Sequence, residues 1–232
     1  MDELKKKIAN EIRISLEQDF PQYKDQLILD SHNYVGGLKS DAINTRLNKD
    51  FKSDNYIIHG FKRCAWEGRF IIELDSKSII SITSISNLER VSKDKNRKVP
   101  HYMQSILNYL NDDIESERQI TFEVGKTFDD DIYEKDFKNI FSKLKLDFKD
   151  FTYYVVAYDY SFGKVHEMNW YLLDNEFNVA NKESMMKFID PDFIDLTDVE
   201  NDFNVTSTEG EAEEPSKGIK LGLKKKKIKK HG

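Results

Sequence analysis

The sequence predicts an α+β domain in which an antiparallel three-stranded meander and a second hairpin pack with about five helices, all within residues 1–189. Three observations point there. Apolar residues recur every four positions near the N-terminus. The period then drops to two between Tyr56 and Thr83. Two runs rich in Tyr and Val flank Ser161-Phe162-Gly163. Past Asp190 apolar residues become sparse, so residues 190–216 read as an acidic disordered linker and 217–232 as a lysine-rich tail.

Leu4, Ile8, Ile12, Leu16 and Phe20 line one face of a first helix over residues 2–20, which Pro21 should end. Ser31 to Gly37 reads as a loop punctuated by Gly36-Gly37. Ser40 is placed to cap a second helix carrying Ile43, Leu47 and Phe51. Three strands follow over residues 55–86, with Asp75-Ser76-Lys77-Ser78 turning between the last two. A basic loop runs from Arg90 to His101. Pro100 then opens a third helix with Met103, Ile106, Leu107, Leu110 and Ile114 on one side. Ile120 to Val124 suits a short strand. Asp129-Asp130-Asp131 suits the start of a helix through Phe137, Ile140, Phe141 and Leu144. Phe151 to Tyr160 and Lys164 to Leu173 form the second hairpin, with His166, Met168, Trp170 and Leu172 on one face. Asn181 to Ile189 reads as a last short helix. Whether the two hairpins share a sheet is open at this stage.

Composition excludes several classes. One cysteine, Cys64, precludes an intrachain disulfide and suits a reducing compartment. No apolar run reaches the roughly 18 residues that span a bilayer, and the charged N-terminus lacks a signal peptide's apolar stretch. The cytoplasm is the expected location, and no membrane partner is expected. Net charge is −6, unevenly spread: ten acids lie between Asp190 and Ser216, and eight lysines lie between Lys217 and Gly232. Residues 1–189 keep 32 acids against 28 bases, too balanced for a global field that attracts nucleic acid. An anion site must therefore be a local patch.

The strongest local patch is basic and aromatic. Lys62, Arg63, Trp66 and Arg69 sit where the first strand turns into the second. Arg90, Lys93, Arg97, Lys98 and His101 leave the third strand. In a meander the ends of the first and third strands lie together, so the two clusters should converge. Cations beside an aromatic ring suit phosphates and stacked bases. The bland alternative is solvated lysines and a core Trp66, and Glu89 and Asp94 dilute the patch.

Other chemistry is thinner. Helix, three antiparallel strands, helix, strand over residues 40–124 resembles the core of the PD-(D/E)xK nucleases, whose two acids and lysine serve to hold a divalent metal and activate water. Asp75-Ser76-Lys77 has the spacing, with Glu67 or Glu73 as second acid, but it falls in a turn and the third strand has no acid. His32, His59, His101 and His166 lack metal-ligand spacing, and a structural role suits them better. No glycine-rich phosphate loop or nucleophile elbow occurs, so no cofactor is expected. In the tail, Phe193 to Thr197 is an apolar island of the kind that docks on a partner's sheet edge, and the acidic stretch could mimic nucleic-acid charge.

Gly60-Phe61-Lys62-Arg63, Trp66, Arg69, Asn87-Leu88 and Lys98 to Tyr102 resemble a family of uncharacterised bacterial and phage proteins with a domain of unknown function, over residues 40–175. The resemblance implies a bacterial setting, often a mobile element, and supplies no catalytic residues. The resulting expectation is a non-enzymatic binding or regulatory protein engaging nucleic acid or a nucleic-acid-handling protein. A metal-dependent nuclease, active or degenerate, and an inhibitor acting through its acidic tail are the alternatives.

Overall fold

The central strands of the described sheet lie between two helical layers, which is why they are apolar at consecutive positions rather than at alternate ones. The computed structural model describes residues 1–27, 34–63, 66–94, 96–116 and 128–189. His32, Cys64, the expected strand at Ile120 to Val124 and the entire tail from Asp190 lie outside the described residues.

Strands β1 (Tyr56–Arg63), β2 (Trp66–Glu73), β3 (Ser78–Ser84), β4 (Thr152–Ser161), β5 (Lys164–Leu173) and β6 (Val179–Ser184) form one six-stranded sheet in chain order. Neighbours are antiparallel except β3 and β4, which pair in parallel from Ser78↔Thr152 to Ser84↔Tyr158. The two hairpins therefore share one sheet. A parallel pair needs a long crossover, and residues 85–151 supply it with helices α4 (Ile85–Lys93), α5 (Tyr102–Leu110) and α6 (Asp130–Ile140).

Those three helices cover one face. Phe70, Ile72, Ile79, Tyr153 and Val155 pack there against Leu88, Met103, Ile106 and Phe137. The other face packs Ile71, Ile80, Val156, Met168 and Trp170 under α1 (Asp2–Ile14) and α3 (Val35–Asp50) through Leu4, Ile8, Ile12, Ile43 and Leu47. Asn111, just past α5, ties the crossover to the sheet. Its buried amide donates to the carbonyls of Tyr153 and Leu173 at 2.9 and 2.8 Å, and its oxygen accepts from the Tyr153 N–H at 3.0 Å.

Several sequence expectations are corrected. Pro21 does not end the first helix: a π-helical turn over Ser15–Asp19 leads into α2 (Phe20–Gln26), and Pro21 sits in its first turn, where a missing N–H costs nothing. Gly36 and Gly37 lie inside α3 rather than in a loop, and Ser40 is mid-helix. Packing of Ile43 and Leu47 on the sheet outweighs glycine's helix penalty of about 1 kcal/mol. Arg90 and Lys93 sit on α4, not in a loop; Ser84 caps it, accepting from the Asn87 N–H, and its short stripe of Ile85, Leu88 and Val91 follows β3 without a break. Leu110 is the last residue of α5, so Ile114 falls outside it, and Leu144 lies past α6. Residues 179–184 are an edge strand, followed by a 3-10 turn over Met186–Phe188, where a helix was expected. An edge strand facing solvent carries no apolar alternation, so Asn181-Lys182-Glu183 gave no strand pattern.

Candidate functional site

The parallel pairing of β3 and β4 sends both carboxyl ends to the same end of the sheet, where open sheets of this kind form crevices. The sheet carries a cavity of about 630 Å³ at that end. Thr83, Ser84, Tyr158, Asp159 and Tyr160 form its floor. Gly36, Lys39 and Ser40 line it from the first turns of α3, Ser86 and Asn87 from the first turn of α4, and His101 and Tyr102 from the start of α5. The starts of α4 and α5 thus face one space, each with a partial positive charge, while α3 lines it with one flank from Gly36 to Asn44.

Side chains add to that sign. Arg63, Arg69 and Arg90 also line the crevice, and Asp159 is the one carboxylate among its described lining residues. Arg63 donates to the Pro100 carbonyl at 2.7 Å and pairs with Asp136, which also takes the Ser105 hydroxyl, so its charge is largely answered. Arg69 and Arg90 are different. Arg69 donates to the Gly68 carbonyl at 3.0 Å and Arg90 to the Asn87 side-chain oxygen at 2.7 Å. Neither has a carboxylate at ion-pair distance among the described residues.

One wall is aromatic. Trp66 stacks on Tyr102 with ring centres 5.5 Å apart and meets Phe61 edge-on at 5.4 Å, yet stays 43 % exposed. Two glycines make this wall possible. A Cβ on Gly68 would come within 2.6 Å of the Phe61 and Trp66 rings, and one on Gly60 within 2.9 Å of the Arg69 guanidinium. Gly68→Ala should therefore cost about 1–3 kcal/mol and push the indole outward. Urea unfolding and a red shift in tryptophan emission check both parts.

The profile of one protein family matches residues 1–232: Family of unknown function (DUF5986). The chain belongs to that family. No curated protein and no solved structure is significantly similar to it. Membership in DUF5986 agrees with the expected kinship to an uncharacterised family and assigns no role to any residue.

Of the nine residues expected to form the patch, the DUF5986 crevice gathers Arg63, Trp66, Arg69, Arg90 and His101. The other four lie elsewhere. Lys62 points to the β1 edge, where it pairs with Glu67 at 3.5 Å and borders a second cavity. Lys93 pairs along α4 with Glu89 at 3.5 Å. Lys98 is exposed and outside the crevice. Arg97 braces the α4–α5 connection, donating to Asp94 at 3.0 Å and to the Val91 carbonyl at 3.0 Å. Sequence reading missed Lys39, Asn44, Tyr158 and Tyr160. The Ser84-x-x-Asn87 cap was the one cue that a helix, and hence a helix N-terminus, begins there.

His101 is present but not as a cation. Its Nδ1 accepts the Met103 N–H at 3.3 Å while Gln104 accepts the His101 N–H at 3.0 Å, a reciprocal cap on α5. Burial, with Arg97, Arg63 and Arg90 nearby, pushes its pKa down to about 3. His59, buried between Phe70 and Phe141 with Nε2 at 2.7 Å from the Ile140 carbonyl, is also shifted down by burial. The unfolded chain protonates both near pH 6.5, before the folded one does. Stability should thus be full above about pH 6.5 and fall below it, by up to about 1.4 kcal/mol per pH unit for each ring. His101→Asn, which keeps the cap, should flatten that fall between about pH 6 and 4 in urea titrations.

The nuclease arrangement gains nothing here. Asp75 lies on the exposed β2–β3 turn and accepts the Asn55 amide at 2.6 Å, while Glu73 accepts the Ser76 N–H at 2.6 Å. Both carboxylates close that turn, and no cluster of three or more metal-ligating side chains occurs among the described residues. No described helix is long and apolar enough to cross a membrane.

Proposed function

We propose that this protein binds nucleic acid, holding phosphate in the crevice between the flank of α3 and the starts of α4 and α5 and a base against Trp66. The observation that carries this reading is the convergence of the α4 and α5 N-termini with Lys39, Arg69 and Arg90 on one cavity that has a single carboxylate among its described lining residues. A half-exposed indole backed by Tyr102 supplies a π-face that any base can stack on. The volume, about 630 Å³, matches a nucleotide-sized group rather than a duplex.

Binding without chemistry fits the residues present. His101 is a neutral helix cap, and Asp159 is the one acid among the described residues lining the cavity. The setting would be the cytoplasm of a bacterium or its phage, and the natural ligand a nucleic acid or a nucleic-acid-handling protein. Polarisation with labelled single- and double-stranded oligonucleotides across a salt series tests the reading. Single strands should bind more tightly, with affinity falling steeply as salt rises and with tryptophan emission quenched. Absence of salt-dependent binding to either form would remove the proposal.

A further inference from the structure

The β4–β5 hairpin carries a residue that its turn does not want. Ser161 pairs with Lys164, which leaves Phe162 and Gly163 as a two-residue connection. Both have positive φ, +50° at Phe162 and +81° at Gly163, as a type I′ turn requires. Asn or Gly is the usual choice at the first position, because a Cβ and a bulky ring are strained there. Phe162 accepts that strain and is also completely exposed, at 101 %. Nothing in the described fold is gained in return: no core residue packs on it, and it makes none of the ring contacts that Phe20 and Tyr160 make beside it. A strained backbone position without a packing benefit marks a residue kept for an external contact.

Its place says what kind of contact. Tyr160, two residues earlier on the same strand, lines the crevice, so the tip projects beyond the crevice's own rim. Extending the β2–β3 register beyond its last pair, Phe70↔Ser81, and the β3–β4 register beyond Ser84↔Tyr158 puts Trp66 level with Asp159, two strands away and three residues short of Phe162. With strands about 4.8 Å apart and about 3.3 Å per residue, the two backbone positions are separated by about 14 Å. Between them lie the Asp159 and Tyr160 positions, and Lys39 sits over the Tyr160 ring at 4.8 Å. Two exposed aromatic rings with cations between them form a track, and a single strand at about 3.4 Å per stacked nucleotide covers that distance in about four nucleotides.

We infer that Phe162 is a second base-stacking platform, and that the ligand is a single-stranded segment of about four nucleotides or more, running from Trp66 across the crevice to the β4–β5 tip. This rests on the nucleic-acid reading of the crevice and specifies its ligand. A mononucleotide would meet only the Trp66 end, and a duplex, whose bases are already stacked on each other, would offer nothing to either ring.

The test compares wild type with Phe162→Asn, using labelled (dT)8 and, as a competitor, thymidine 3′,5′-bisphosphate. Asn suits the turn, so the variant should unfold at a higher urea concentration than wild type while binding (dT)8 about tenfold more weakly, within the loss expected for one stacked base. Bisphosphate binding should not change. If wild type binds (dT)8 and Phe162→Asn binds it equally well, the second platform is wrong and the crevice reading stands. If the variant loses bisphosphate and (dT)8 together, Phe162 supports the crevice structurally and the inference also fails. If wild type binds neither probe, both fall.

Discussion

Replacing Arg69 and Arg90 together by alanine is expected to weaken single-strand binding about 100-fold while leaving the urea midpoint within about 0.5 kcal/mol of wild type. The two guanidinium groups are the arginines of the crevice without a carboxylate at ion-pair distance among the described residues. Arg69 lies across Gly60 and gives one hydrogen bond to a backbone carbonyl; Arg90 gives one to Asn87 on its own helix. Losing them removes little that the fold uses. A charge-assisted bond to phosphate is worth about 1.5–3 kcal/mol, so two at the low end of that range amount to about 100-fold. The salt dependence gives a second readout. For single strands the slope of log affinity against log salt is about 0.7 for each phosphate that a cation neutralises, so the double variant should be shallower by about 1.4. The same substitution at Arg63 would not be equivalent, because Arg63 joins β1 to Asp136 on α6 and to the Pro100 carbonyl. An unchanged slope in the Arg69 and Arg90 double variant would mean that phosphate binds elsewhere.

Asn111→Ala should lower folding stability by about 4 kcal/mol, the largest effect of any single polar substitution proposed for this chain. The Asn111 side chain stands in for a missing piece of sheet. The β4–β5 ladder stops at Tyr154↔Leu172, and the next carbonyls, of Tyr153 and Leu173, receive the Asn111 amide instead of each other's strand. The Tyr153 N–H is likewise satisfied by its oxygen. Alanine would strand three buried backbone groups, each costing about 1–3 kcal/mol. Asn111→Asp should be nearly as damaging, since a carboxylate cannot donate to two carbonyls. Binding by the fraction still folded should be normal, because Tyr153 lies near the start of β4 and the crevice at its end. Equilibrium unfolding in urea, with oligonucleotide affinity measured well below the midpoint, separates the two effects.

Legibility of the fold followed burial. The hairpins at residues 56–84 and 152–173 were readable because β-branched and aromatic side chains pack on both faces there, and their turns carry recognisable residues. Elements with little buried apolar surface were not. α4 has a stripe of only Ile85, Leu88 and Val91 and follows a strand without a break, and β6 is a polar edge, so neither stands out in the chain. The candidate site was half legible for a similar reason. Arg63, Trp66 and Arg69 come together through local hairpin geometry, which sequence distance can suggest. Lys93 and Arg97 look like Arg90 in a linear chain; helix phase turns Lys93 away from the crevice on α4, and the course of the α4–α5 connection makes Arg97 a brace.

By itself, then, the sequence determined strands β1 to β5, their turn residues and the presence of a basic and aromatic cluster, because each depends on neighbours within a few residues. Tertiary structure decided that both hairpins join through a parallel β3–β4 pair, and that α3 brings Lys39 to residues far along the chain. Those outcomes rest on packing between segments separated by dozens of positions, where the burial of a whole layer, rather than any local preference, selects the arrangement.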